Sequence, residues 1–156
     1  MRSLREGDSV ILAAATLGNV NWSGPRFTAE QISQIPEIVH YFSPCPPDRE
    51  FGVVIEDAEG AGIAVAWARY FTLSDPGYGF VDEDTPELSV WVDQSHRSKG
   101  HGTRLLDVLI SEAQNAGIWQ LSLSVEAGNP AMRLYKRLGF VRVEGAENDG
   151  TFVLVL

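Results

Sequence analysis

The chain has 156 residues and a formal net charge of −9 at pH 7. A chain of this length buries a normal core as one unit, so we expect a single domain over residues 1–156. The acidic balance argues against a nucleic-acid partner, because phosphate backbones are bound by basic surfaces. No apolar run approaches the ~18 residues of a membrane span, so a membrane partner is not expected either.

The single cysteine and the N-terminal residues carry no signal for a metal or a secretory route. Cys45 cannot form an internal disulfide and has no His, Asp or Glu at ligand spacing, so we predict a plain thiol and no metal site. The apolar run after Glu6 and Asp8 is shorter than the ~7–15 residues of a signal-peptide core. We therefore expect a cytoplasmic protein.

The first elements in chain order are a short strand and two helices. Residues 1–8 can form the strand, and residues 8–19 read as a helix with Asp8 or Ser9 as its N-cap. A second short helix is predicted over residues 27–36, where Thr28 and Gln31 have the spacing of a capping box and Pro36 sets the limit.

The middle of the chain changes from helical to β patterning. Residues 35–50 carry aromatic side chains and several prolines and are expected to be a loop. Two β-rich runs within residues 50–73 surround the sequence "DAEG", which is typical of a hairpin turn. A turn-rich acidic loop follows, and residues 87–94 alternate as a strand, with Leu88, Val90 and Val92 opposite Glu87, Ser89 and Trp91.

The second half alternates helices and strands. Apolar residues recur at helical spacing over residues 103–117, and a strand follows over residues 118–125. Residues 129–139 read as a helix with Asn129 as N-cap, Pro130 in the first turn and Gly139 at its end, and residues 140–146 and 150–156 read as a closing hairpin. This order predicts an α+β domain with helices on both faces of a central mixed sheet.

The hexapeptide "RSKGHG", residues 97–102, lies between the strand at residues 87–94 and the next helix. Glycines allow positive φ and close approach to a ligand, and the unpaired N–H groups of a helix's first turn attract anions. The same residues can equally form a simple strand-to-helix turn. The hexapeptide alone does not separate these two interpretations.

Two motifs taken together favour an anion site over a simple turn. Arg97, Gly100 and Gly102 match the pattern Arg/Gln-x-x-Gly-x-Gly/Ala, and a second motif follows further along the chain. Its matching residues are Asn129, Ala131, Met132, Tyr135, Gly139 and Phe140. In this order the motifs, within residues 86–142, resemble the GCN5-related N-acetyltransferase superfamily, whose glycine loop binds acetyl-CoA.

The resemblance implies the acyl-CoA N-acyltransferase fold and a cofactor site. The fold has a mostly antiparallel sheet of about six or seven strands, splayed in the middle, with about four flanking helices. The strand before the loop would line the thioester, with the Val92 amide as a donor to its carbonyl oxygen, and the loop amides would hold the pyrophosphate. His101 is expected to face solvent, and Arg97 and Lys99 are either phosphate contacts or solvated cations. The implied cofactor set is Leu88, Val90, Trp91, Val92, Arg97, Ser98, Lys99, Gly100, His101, Gly102, Thr103, Asn129 and Tyr135.

The resemblance also implies two catalytic residues, each with a structural alternative. Tyr135 would protonate the departing thiolate, although a tyrosine at the edge of the stripe Ala131–Leu134–Leu138 can also be amphipathic packing. Glu87 would accept the amine proton, or it is a solvated carboxylate at the end of a strand. Asn129 caps a helix, contacts pantetheine, or does both. His40 and His96 are expected on the surface.

The implied reaction is direct transfer of acetyl from acetyl-CoA to a primary amine of a small molecule or peptide. The alternative is a non-catalytic acyl-CoA-binding module on the same fold. Relatives in the superfamily are often dimers, so a homodimer is a further expectation. The acceptor pocket is expected from aromatic residues of the first helices and the hairpin, each of which can instead be core. These are Trp22, Phe27, Tyr41, Phe42, Tyr70 and Trp91.

Overall fold

The computed structural model describes residues 1–146 and 150–156. Helices and strands alternate much as the sequence predicts. Their bounds are β1 Arg2–Ser3, α1 Ser9–Val20, α2 Ala29–Ile32, α3 Pro36–Val39, β2 Glu50–Glu56, β3 Gly62–Arg69, β4 Glu87–Val92, α4 His101–Asn115, β5 Gln120–Ser124, α5 Met132–Arg137, β6 Val141–Arg142 and β7 Thr151–Val155.

Within the described residues, seven strands form one sheet in the order β1-β2-β3-β4-β5-β7-β6. All neighbouring pairs are antiparallel except β4 and β5, which are parallel and pair through a single residue pair, Glu87 with Ser122. The Ser122 amide donates to the Pro86 carbonyl at 3.1 Å, and beyond this point the two strands diverge. The sheet is therefore mixed, mostly antiparallel and splayed at its centre, as expected.

The sheet is buried on both faces by two separate cores. Ala64, Ala66 and Ala68 of β3 face the core that contains Leu105 and Leu109 of α4. The intervening β3 residues, Val65 and Trp67, face a second core that includes Leu12 and Ala15 of α1. A strand with period-two alternation presents its residues to opposite faces, so β3 is buried on both faces from Ala64 to Arg69.

The helix starts confirm one capping prediction and correct others. The Thr28 hydroxyl accepts from the Gln31 amide at 3.2 Å, and the Gln31 side chain accepts from the Thr28 amide at 2.8 Å, which is the predicted capping box. Pro36 does more than limit α2. It occupies the first turn of the extra helix α3, where its missing N–H costs nothing, so the predicted loop over residues 35–50 is partly helical.

Asp8 and Asn129 cap differently from the prediction. Asp8 precedes α1, but its carboxylate is bound by Arg2 at 2.7 Å and by the Arg5 amide at 2.7 Å. Asn129 accepts from the Ala131 amide at 2.9 Å, and the α-helix proper begins later, at Met132. Gly139 follows the end of α5 with φ of +98°, a conformation that favours glycine and ends the helix.

Candidate active site

The glycine loop presents a row of backbone N–H groups before α4. Gly100 has φ of +79° and Ser98 has φ of +61°, so the chain turns sharply into the helix. The first bond at the helix start runs from the Arg104 amide to the Gly100 carbonyl at 3.1 Å. The N–H groups of the residues between them therefore have no acceptor in the helix, and they form a site suited to an anion such as a phosphate.

The glycine loop lies against both β4 and α5. A Cβ placed on Gly102 would lie 3.9 Å from the Val92 side chain and 3.7 Å from Leu134. Arg97, at the other end of the loop, donates to the Val92 carbonyl at 3.2 Å. The two sequence motifs thus meet in space.

The splay exposes one backbone edge of β4. The Asp93 amide donates to the Ile63 carbonyl of the β3 side at 2.9 Å, and the Val92 carbonyl points away from β3 to receive Arg97. Backbone groups alternate in direction along a strand, so the amides of Val90 and Val92 also face the gap between β4 and β5. An extended ligand with amide groups can pair with this edge as an added strand does.

A cleft of about 1260 Å³ runs along this gap. It receives residues from α1, β4, β5 and α5, so it joins the glycine loop to the opposite face of the sheet. The predicted site residues that line it are Trp22, Phe27, Tyr41, Glu87, Leu88, Val90, Trp91, Val92, Arg97, Gly102, Asn129 and Tyr135. In the described part of the chain, Ser98, Lys99, Gly100, His101, Thr103, Phe42 and Tyr70 lie outside this lining.

Tyr135 is the buried residue of α5. Only 7% of it is exposed, and its ring meets Phe140 edge to face at a centroid distance of 5.9 Å. The flanking Ala131, Leu134 and Leu138 are half-buried, so the expectation that Tyr135 lies at the edge of their stripe is corrected. Burial raises the pKa of the Tyr135 hydroxyl, which keeps the proton on the phenol at neutral pH.

Glu87 is buried, not solvated. It is 4% exposed, and burial raises its pKa to about 7, while the hydrogen bond from Tyr41 and the nearby Gly79 amide act in the opposite direction. The Tyr41 hydroxyl donates to Oε1 at 2.7 Å. Among the described residues Oε2 makes no hydrogen bond of normal geometry. A carboxyl group titrating near neutrality in a cleft can take up and release a proton.

Sequence reasoning missed the loop that encloses Glu87. A Cβ on Gly77 would overlap Oε2 of Glu87 and lie 2.8 Å from the Phe71 ring, and a Cβ on Gly79 would lie 2.5 Å from the Leu123 backbone. Residues 77–79 therefore pack tightly against Glu87 and the inner edge of β5. The two glycines of "PGYGF" are the sequence signal for this close approach, because a side chain at either position would collide with its neighbours.

A second missed feature joins the two sides of the cleft. The Trp22 indole donates to Glu126 Oε2 at 2.5 Å, and Arg26 donates to Glu126 Oε1 at 3.1 Å. The Asn21 side chain organises the same loop by accepting from the Arg26 and Phe27 amides, each at 2.9 Å. The loop after α1 is thus tied to the loop after β5.

Two aromatics and one histidine lie elsewhere than expected. Phe42 packs against the α1 core, and Tyr70 lies under the Arg49 guanidinium at 5.3 Å. His40 is buried, with Nδ1 2.8 Å from Asp75 Oδ1, so its expected surface position is corrected. His96 is half-buried beside Asp93 at 3.2 Å.

The described residues also limit other kinds of site. They contain no group of three or more His, Cys, Asp or Glu side chains arranged to hold a metal ion. Within the same residues, none of the helices combines the length and the apolar character that crossing a membrane requires.

Comparison with known proteins agrees with this geometry. Residues 18–140 match the model of the acetyltransferase (GNAT) family. The chain is 35% identical over 88 residues to an L-methionine sulfoximine/L-methionine sulfone acetyltransferase of Pseudomonas aeruginosa, covering 56% of this chain and 49% of that protein. It is 41% identical over 68 residues to an L-amino acid N-acyltransferase of Escherichia coli, covering 43% and 40% of the two chains.

The match therefore spans about half the length of these curated relatives or less. Among solved structures, a ribosomal-protein-alanine N-acetyltransferase from Brucella melitensis superposes with a TM-score of 0.63 at 26% identity. That likeness covers 99% of this chain and 98% of the other. Because the family model covers most of the sequence and the fold agrees, the chain belongs to the acetyltransferase (GNAT) family.

Proposed function

We propose that this protein transfers the acetyl group of acetyl-CoA directly to the primary amine of a small, amino-acid-like substrate. The observation that carries the proposal is a single cleft that contains the open edge of β4, a buried tyrosine and a buried carboxyl group. The names of the curated relatives, which act on amino acids or their analogues, support this substrate class.

The chain's own residues divide the binding task. The amides from Ser98 to Gly102, with Thr103, would hold the pyrophosphate, and Arg97 and Lys99 would add charge. The Val90 and Val92 amides would pair with the pantetheine arm, and the Val92 amide would donate to the thioester oxygen, where charge develops during attack. Acetyl-CoA itself supplies the activated acetyl group.

Two side chains would move the protons. As the amine nitrogen bonds to the acetyl carbon and the carbon–sulfur bond breaks, the amine proton passes to Glu87, directly or through water. The sulfur would receive the proton of Tyr135. Glu87 would then release its proton to water and Tyr135 would regain one from water, which restores both groups. Glu87 suits the role of base because its pKa of about 7 leaves it partly ionised at neutral pH. Tyr135 suits the role of acid because burial keeps it protonated.

Binding of acetyl-CoA is tested first, by thermal unfolding. A hundredfold excess over Kd stabilises a protein by about 2.7 kcal/mol, which for this chain length is a Tm rise of about 5–10 °C. Tyr70→Phe, which removes a hydroxyl outside the cleft, should show the same rise. An unchanged Tm at saturating acetyl-CoA would refute the assignment.

Turnover then separates an enzyme from a non-catalytic acyl-CoA-binding module. Release of free thiol is followed with a panel of primary amines that includes L-methionine sulfoximine and free L-amino acids. A Cys45→Ser background keeps the protein's own half-buried thiol out of the assay. Stabilisation by acetyl-CoA without thiol release from any amine would favour the module. Cytoplasmic location and a homodimer stay predictions from the sequence.

A further inference from the structure

We infer that Tyr41 is a positioning residue that orients the Glu87 carboxyl group and sets its affinity for a proton during acetyl transfer. This inference rests on the proposed function, in which Glu87 accepts the amine proton. It adds a residue from outside both sequence motifs to the working parts of the site.

The Tyr41 hydroxyl donates to Glu87 whenever that carboxyl group is ionised. The hydroxyl oxygen accepts from the Tyr78 amide at 2.7 Å, and it lies 2.7 Å from Glu87 Oε1. A backbone amide can only donate, so the single phenolic proton is left to point at the carboxyl group. Burial and the nearby carboxylate raise the pKa of Tyr41 well above its usual value, so the hydroxyl stays a donor across the working pH range.

The Tyr41 ring is held from several sides. The ring is 7% exposed and meets His40 and Phe71 at centroid distances of 4.7 and 5.1 Å. The Tyr78 ring lies parallel to it at 6.1 Å, and the Trp67 indole donates to the Tyr41 carbonyl at 3.2 Å. These contacts fix the ring and the backbone of Tyr41. The Tyr41 hydroxyl therefore holds the Glu87 carboxyl group in one orientation.

The other charged and titratable groups around Glu87 are already engaged or lie on the same loop. Arg69 stands opposite Glu87 on β3, but its guanidinium binds Glu50 at 2.5 Å and the His40 carbonyl. His40 itself is bound to Asp75 at 2.8 Å. Tyr78 contributes its amide through Tyr41, and burial together with the charges of Glu37 and Glu87 raises the pKa of its phenol. Ser122, the β5 partner of Glu87, is uncharged.

This arrangement has two effects on Glu87. A hydrogen bond donated to a carboxylate stabilises the ionised form, so Tyr41 offsets part of the burial that raises the pKa of Glu87. The bond to Oε1 also fixes the orientation of the carboxyl group in the cleft. Without Tyr41, Glu87 would hold its proton more tightly and would be a base only at higher pH.

The test is Tyr41→Phe in the full chain, read by the pH dependence of Glu87 itself. Glu87 is titrated by ¹³C NMR of the carboxyl carbons, with Glu87→Gln identifying its signal. Because the carboxylate loses a hydrogen bond that stabilises its ionised form, the pKa of Glu87 should rise by about one to two units. Tyr70→Phe, the matched loss of a hydroxyl elsewhere, should leave the Glu87 titration unchanged.

Turnover provides the second reading. At pH 6.5, kcat/KM of Tyr41→Phe should be roughly ten- to a hundredfold below wild type, following the smaller ionised fraction. The kcat/KM values of Tyr41→Phe and wild type should agree within a few-fold near pH 9.5. An equal loss at both pH values, or a Glu87 titration identical to wild type, overturns the inference. Placing 3-fluorotyrosine at position 41 strengthens the donor and should shift the Glu87 titration downward. A shift in the other direction overturns it as well.

The proposed function and the role of Tyr41 are contradicted by different results. An absence of thiol release from wild type with every amine tested contradicts the proposed function. The NMR titration still measures the hold of Tyr41 on Glu87, because it needs no turnover.

Discussion

The buried carboxyl group of Glu87 should make the protein less stable as the pH rises from acid to neutral. Burial raises the pKa of Glu87 from an ordinary 4.5 to about 7 in the folded protein. Between these two values the folded state binds more protons than the unfolded state, so raising the pH favours unfolding. The stability present below pH 4.5 is therefore lost progressively as the pH rises through about 7.

The size of the effect follows from the shift. A difference of about 2.5 units between 4.5 and 7, at ~1.4 kcal/mol per unit, gives about 3 kcal/mol of stability lost by pH 8. Such a loss is a large part of the ~5–15 kcal/mol of a typical domain. Because the group is 4% exposed, solvent screening reduces the figure little.

The assay is urea unfolding of wild type and Glu87→Gln at several pH values between 4.5 and 8. Gln keeps the size of the side chain and an oxygen acceptor for Tyr41 but does not titrate in this range. The free energy of unfolding of Glu87→Gln, relative to that of wild type, should increase by about 3 kcal/mol from pH 4.5 to pH 8. The contributions of other titrating groups cancel in this difference. A difference that stays flat with pH, or one of the opposite sign, would show that Glu87 is not desolvated as described.

Three other substitutions, one of them with a matched control, test separate parts of the site. Tyr135→Phe should lower kcat by roughly a hundredfold with little change in KM for acetyl-CoA, and unchanged turnover at every pH would exclude its role as the acid. Gly77→Ala, whose Cβ would overlap Glu87, should destabilise the fold by about 1–3 kcal/mol in urea unfolding. Gly7→Ala, with open space around it, should stay within about 0.5 kcal/mol, and an equal cost at both positions would contradict the packing argument. Trp22→Phe, which breaks the bond to Glu126, should raise KM for the amine more than it changes kcat, and an unaltered KM would argue against that loop as part of the acceptor site.

The sequence predicted the elements whose signals are local. Periodicity predicted α4 and β4, the turn sequence "DAEG" predicted the hairpin of β2 and β3, and the Thr28–Gln31 box predicted the start of α2. The glycine loop and the α5 motif predicted where the cofactor binds, because each is recognised within one short stretch.

What the sequence could not provide depends on contacts between distant segments. The burial of Glu87 arises from Tyr41, which lies 46 residues earlier, and from the tightly packed glycines of residues 77–79. A proline can end one helix or occupy the first turn of the next. The sequence does not show which applies to Pro36, which starts α3. His40 looked like a surface residue because nothing local shows that Asp75 and Phe71 enclose it.

The open edge of β4 also bears on how the protein avoids aggregation. Unpaired strand edges are templates for pairing with another chain, and most proteins have them at the border of a sheet, where they are protected by short strands or charges. Here the amides of Val90 and Val92 lie in the middle of the sheet, between β4 and β5, and line the same cleft as Trp22 and Glu126. A second folded chain cannot bring a strand into that gap. A thin, flexible ligand can, so the same geometry that offers a strand-like binding edge keeps it away from other proteins.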